Sequence, residues 1–236
     1  MSKWLNFLAG LVAFSVFAST TGESVAENQR ERTRVACVGD SITYGLGIQN
    51  RAENCYPAQL GHMLGKKWLA GNFGVSGATL LEKGPKPYRD LKAFDMALKF
   101  QPDVVVIMLG TNDTSPLVWP EHKEDFVPDY VKLVKSFQEL ESKPAVWICY
   151  PAPIYPGEWG PRDRIIKDEI IPRIDMIAEE TGARIIDLYS PMKDRREFFP
   201  DTVHPNAAGA KRIAEIVADV ISSESHEKAG TGQGGK

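Results

Sequence analysis

The sequence predicts a three-layer α/β domain built on a parallel sheet. Two observations predict it. Short, uninterrupted apolar runs recur along the chain, and longer segments of helical period separate them. Apolar runs without alternation suit strands covered on both faces. The order strand, helix, strand, helix places a sheet between two helical layers. At 236 residues the chain suits one domain with a real core.

The elements follow in order. Lys3 and an uncharged, mostly apolar run at 4–18 precede two small-x-Ala sites, Val16-Phe17-Ala18 and Ser24-Val25-Ala26. A membrane-spanning helix needs about 20 apolar residues, so this run is short for one. Residues 1–26 read as a secretory signal peptide, which predicts a secreted or periplasmic protein with no stable membrane span after cleavage. The domain is expected over 27–222. Strands are expected at 34–38, 68–73 (weakly), 104–109, 146–149 and 184–188. Helices are expected at 56–66, 126–140, 165–181 and 207–221, where apolar residues recur at three- and four-residue spacing. Pro172 should kink or split the third of these, and Gly182 should stop it. The tail at 223–236 lacks apolar periodicity and is expected to be disordered.

Composition excludes some partners. The net charge is −3, and no basic cluster offers a surface for nucleic acid. The pair Lys66-Lys67 reads as the solvated end of a helix. The three cysteines, Cys37, Cys55 and Cys149, form no C-x-x-C, and two of them sit inside strand-like runs, so no structural disulfide is expected. No His/Cys/carboxylate spacing suits a metal, and no cofactor motif is present.

In an open parallel sheet, ligands bind beyond the carboxyl ends of the strands. Polar residues and glycines concentrate there. Gly39-Asp40-Ser41 follows the first strand and Gly110-Thr111-Asn112-Asp113 follows the third. Asp201 and His204 stand three apart before the last helix. At that spacing the carboxylate can accept the imidazole Nδ1–H and leave Nε2 as a base. Pro205 suits the first helical position. The other histidines, His62, His122 and His226, have no such arrangement. Ser41, at a strand-to-helix junction, is a candidate nucleophile once a base takes its proton; it is equally a candidate helix cap. Asp40 is a candidate supporting hydrogen-bond partner. The Ser41 and Gly77 N–H groups and the Asn112 amide are candidate donors to an oxyanion. The joint placement of these groups favours chemistry over separate structural roles.

Four blocks resemble the SGNH (GDSL-type) hydrolase family. They are Gly39-Asp40-Ser41-Ile42-Thr43-Tyr44-Gly45, residues 72–77, Gly110-Thr111-Asn112-Asp113 and Asp201-Thr202-Val203-His204-Pro205. The resemblance covers about residues 34–221. It implies a flavodoxin-like sheet of five parallel strands, a catalytic set of Ser41, Asp201 and His204, and an oxyanion hole of Ser41, Gly77 and Asn112. The Gly-x-Ser-x-Gly elbow of α/β-hydrolases and the phosphate loop are both absent.

Residues 54–60 and 72–79 resemble secreted members assigned to sugar deacetylation. This points to a serine esterase removing O-acetyl groups from a carbohydrate, with a small-molecule or glycan ester as its substrate. The alternatives are a lysophospholipase or general short-chain esterase or thioesterase, and a non-catalytic carbohydrate-binding protein. Trp119, Tyr155 and Trp159 follow the third and fourth strands, where they either stack on sugar or cover the core edge.

Overall fold

A computed structural model describes residues 32–157 and 162–230, with side chains as far as residue 223. The expected signal peptide and Trp159 lie outside the described residues.

Five strands form one sheet: β1 (Thr33–Gly39), β2 (Trp68–Gly74), β3 (Val104–Met108), β4 (Ala145–Tyr150) and β5 (Arg184–Asp187). All neighbours pair in parallel, in the order β2-β1-β3-β4-β5. The chain moves from β1 outward to β2 and then crosses back to β3. The carboxyl ends of β1 and β3 therefore flank a topological switch point, where such sheets bind ligands.

The strand period of two splits the core into two layers. Ala36, Val38, Val105, Ile107 and Ile148 face one side. There they meet α3 (Lys92–Lys99), α4 (Phe126–Gln138) and α5 (Ile171–Thr181). Val35, Cys37, Val106, Met108 and Cys149 face the other. That layer holds α2 (Tyr56–Leu64) and α6 (Ala207–Gly230). Helix α6 presents Ala210, Ile213, Ala214, Val217 and Ile221, a stripe with the spacing of a buried helical face. The nucleophile candidate starts a further short helix, α1 (Ser41–Tyr44), between β1 and α2.

Several expectations meet the structure directly. Cys37, Cys55 and Cys149 are buried free thiols. Gly182 adopts φ +69° and its N–H bonds the Ala178 carbonyl at 2.9 Å, ending α5. Pro172 splits its segment: a π turn over Ile166–Ile170 precedes α5, because proline has no N–H for the helical ladder. The end of the chain differs from expectation. Helix α6 continues to Gly230, past the boundary expected at 222. Ser-Glu-Ser-His-Glu-Lys-Ala contains no proline and several good helix formers, so it prolongs a helix already nucleated by packing.

Candidate active site

Glycine opens the site. A Cβ on Gly39 would stand 2.1 Å from Thr43 Oγ1 and 2.6 Å from the Met108 carbonyl. The chain can turn sharply off β1 only because that atom is missing. Asp40 then caps α1, its Oδ1 accepting the Ile42 N–H at 2.9 Å. Helix α1 lies down on the end of β2, where a Cβ on Gly74 would come within 2.3 Å of the Tyr44 nitrogen. Asn72 fastens it, donating to the Thr43 carbonyl at 2.9 Å and accepting from the Gly74 N–H at 3.0 Å. Ile42 and Thr43 are buried beneath the turn.

From the other side, residues 199–206 deliver the histidine. Thr202 takes φ +77°, uncommon for a β-branched residue, and its carbonyl accepts the Tyr155 N–H at 2.9 Å. His204 Nε2 lies 2.8 Å from Ser41 Oγ. Its Nδ1 lies 2.6 Å from Asp201 Oδ2. Asp201 Oδ1 accepts two backbone N–H groups, from His204 at 2.7 Å and Val203 at 3.0 Å. Burial raises the Asp201 pKa, but these hydrogen bonds and the imidazole outweigh it, so the carboxyl ends below its ordinary value. One position differs from expectation. Pro205 precedes the helix rather than starting it, because Asn206 takes the cap: its Oδ1 accepts the Gly209 N–H at 2.9 Å.

The donor candidates sit on a connected rim. Gly77 has φ +77° in a turn closed by the Ala78 N–H on the Val75 carbonyl at 3.0 Å. The Val75 N–H bonds the Gly39 carbonyl at 3.0 Å, which ties this turn to the base of α1. Asn112 Nδ2 donates one hydrogen to the Ala78 carbonyl at 2.9 Å; its second is left for another acceptor. Asp113 is buried and accepts the Leu80 and Leu81 N–H groups at 3.0 and 2.8 Å. Burial pushes its carboxyl up to about 6, with the Leu81 and Leu80 N–H groups holding it back. Surface grooves of about 530 and 460 Å³ lie elsewhere and include none of these residues. Among the described residues no group of three His, Cys, Asp or Glu side chains is placed to hold a metal.

Residues 37–212 match the GDSL-like lipase/acylhydrolase family model. The chain belongs to this family. It is 39% identical over 217 residues to an acetylxylan esterase of Xylanibacter ruminicola, covering 84% of this chain and 45% of that protein. The chain thus spans about half the length of the curated relative it matches. Two solved structures superpose on it. A carbohydrate acetylesterase from Sinorhizobium meliloti gives a TM-score of 0.64 at 20% identity, over 81% of this chain and 99% of that one. An aryl esterase from M. smegmatis gives 0.62 at 20% identity, with the same coverage. At these identities the likeness is one of fold.

Two supports of this candidate site are not evident from residue type. Asn72 and Asp113 lie inside the quoted blocks, but their work is to hold backbone, which residue type alone does not announce. The aromatic alternatives resolve for two of three. Trp119 is 2% exposed and its Nε1 donates to Glu169 at 2.9 Å. Tyr155 is 8% exposed, packs on Phe199 and bonds the Met192 carbonyl. Both cover the core, and neither offers a face to sugar.

Proposed function

We propose that the protein removes O-acetyl groups from a carbohydrate by way of an acyl-enzyme on Ser41. The observation that carries the chemistry is the chain of contacts from Ser41 Oγ to His204 Nε2 at 2.8 Å and from His204 Nδ1 to Asp201 at 2.6 Å. His204 takes the Ser41 proton as Oγ attacks the ester carbonyl. The oxyanion that forms is met by the Ser41 and Gly77 N–H groups and the Asn112 amide. As the tetrahedral intermediate collapses, the imidazolium returns the proton to the departing sugar oxygen. Water, deprotonated by the same imidazole, then releases acetate and restores Ser41. Asp201 keeps the proton on Nδ1 and stabilises the imidazolium.

Acetyl and carbohydrate as the substrate class rest on the acetylxylan esterase relative and on the resemblance of residues 54–60 and 72–79 to sugar deacetylases. The apolar run at 4–18 and the small-x-Ala sites support export through a cleaved signal. N-terminal sequencing of the exported protein checks that point. Among the described residues no helix is long and apolar enough to cross a membrane.

The deciding experiment measures acetate release from acetylated xylan and other acetylated sugars beside aryl esters of increasing acyl length, with Ser41→Ala as control. Preference for long acyl chains overturns the acetyl assignment in favour of a lysophospholipase. Failure of wild-type protein to react with a serine-directed phosphonate makes it a binding protein instead.

A further inference from the structure

The turn at residues 75–78 has a lysine behind it. Gly77 is the second of its two central residues, and φ +77° at that place marks a type II turn. Types I and II differ by nearly a half-rotation of the peptide between the central residues. Here that peptide links Ser76 to Gly77. It is planar and trans, so the Ser76 carbonyl and the Gly77 N–H point in opposite directions. Whatever holds the carbonyl therefore decides where the N–H points.

Lys86 Nζ donates to the Ser76 carbonyl at 2.9 Å. Its stem passes beside Gly77, with Cδ 4.0 Å from the place a Gly77 Cβ would take. The Lys86 backbone is fixed as well. Its carbonyl accepts the Thr79 N–H at 2.9 Å, and the Thr79 carbonyl accepts the Tyr88 N–H at 2.9 Å. Lys86 pairs with no carboxylate among the described residues. Lys86 is half-buried and its ammonium is directed at one carbonyl, unlike Lys83 and Lys132, which bind surface carboxylates.

We infer that Lys86 is a positioning residue for the oxyanion site, acting through the peptide that links Ser76 to Gly77. The inference rests on the reading that the Gly77 N–H is an oxyanion donor. Lys86 does two things there. It selects the turn in which the N–H faces the reacting carbonyl. It also polarises the peptide: a charge-assisted bond to the carbonyl draws electron density from nitrogen and strengthens the N–H as a donor. The N–H bond that both serve strengthens as charge develops on the substrate oxygen, so losing Lys86 falls on turnover rather than on binding.

The test uses purified full-length protein, an aryl acetate and four variants: Lys86→Met, Lys86→Arg, Gly77→Ala and the Lys86→Met/Gly77→Ala double. Lys86→Met should lower kcat by about 10- to 100-fold, short of the loss of a whole donor, with KM within about twofold. Lys86→Arg, which keeps a charged donor, should recover most of kcat. Gly77→Ala has room for its methyl but disfavours φ +77°, so it too should lose kcat. In the double variant the two losses should not add, since both act through one peptide. Normal kcat in Lys86→Met beside a damaged Gly77→Ala overturns the Lys86 role and leaves the Gly77 reading standing. Normal kcat in both removes Gly77 as donor, and the Lys86 role with it. A Lys86→Met loss that Arg does not rescue, accompanied by a fall in melting temperature, reduces Lys86 to a structural residue.

Discussion

Asp201 grips His204 at two points. Oδ2 meets the ring Nδ1 at 2.6 Å while Oδ1 accepts the backbone N–H of the same residue at 2.7 Å. Both oxygens are thus acceptors, and the ring must carry its proton on Nδ1. An amide at this position cannot serve both contacts in the same way. Its oxygen would keep the backbone N–H groups of Val203 and His204, and its NH₂ would face Nδ1. The imidazole would then move its proton to Nε2, which could no longer accept one from Ser41. Asp201→Asn should therefore fold normally and lose about 10⁴-fold in kcat. Steady-state kinetics check this. Retention of most turnover would require another carboxylate to orient His204, yet Asp113 is committed to Leu80 and Leu81, and Asp40 Oδ1 to Ile42.

Ser41→Ala should abolish turnover, by about 10⁴-fold or more, without unfolding the protein. The fold does not depend on the hydroxyl, because the cap of α1 is the Asp40 carboxyl. Ser41 Oγ makes its bond to His204, not to the helix. Turnover and phosphonate labelling should vanish together while the melting temperature holds. Near-normal turnover would move the nucleophile elsewhere, with Ser76 the next serine to test.

Asn112→Ala should lower kcat by about 10²- to 10³-fold with little change in KM, the signature of a donor used chiefly in the transition state. The variant also strips the Ala78 carbonyl of its partner. Part of the loss is therefore a looser rim around Gly77. A raised KM with kcat intact would assign Asn112 to substrate binding instead.

The fold was legible where a strand is covered on both faces. β1 and β3 are buried almost throughout and read as plain apolar runs, whereas β2, at the sheet edge, is only half-buried and reads weakly. Helix α3 carries no legible period. Its buried face is only Phe94 and Ala97, too few repeats to reveal a period. The catalytic candidates were legible because His is scarce, at four in the chain, and His204 alone stands three residues after an Asp beside a proposed strand end, with Ser41 in the first of the blocks. The backbone supports were not. Asn206 caps α6, which puts Pro205 before the helix rather than at its first position, and Asn72 holds α1, through hydrogen bonds that only the folded chain brings together.

Asp40 should make stability fall as pH rises. It is fully buried; Oδ1 accepts the Ile42 N–H, and Oδ2 has no protein partner. Its carboxyl is pushed up to about 7 in all: burial raises it most, the Ile42 N–H lowers it, and the nearby Asp113 raises it. In the unfolded chain an Asp titrates near 3.9. Between those values the folded protein holds a proton that the unfolded chain has released, so stability declines with pH, by at most about 1.4 kcal/mol per unit for one proton. The contribution is complete below about pH 4 and is lost as pH passes through about 7. Asp201 has the opposite sense: its depressed carboxyl contributes above the ordinary Asp value and loses that contribution only in acid. Over pH 5 to 8 it is constant. Asp40→Asn retains an acceptor for the Ile42 N–H and removes the titration. Asp113 titrates with the same sign in both proteins, so urea unfolding of wild type minus variant isolates Asp40, apart from the mutual repulsion of the two carboxylates. That difference should move against the wild type from pH 5 to 8. A flat difference would mean that Asp40 is ionised throughout, with water at Oδ2 supplying the solvation that the protein does not.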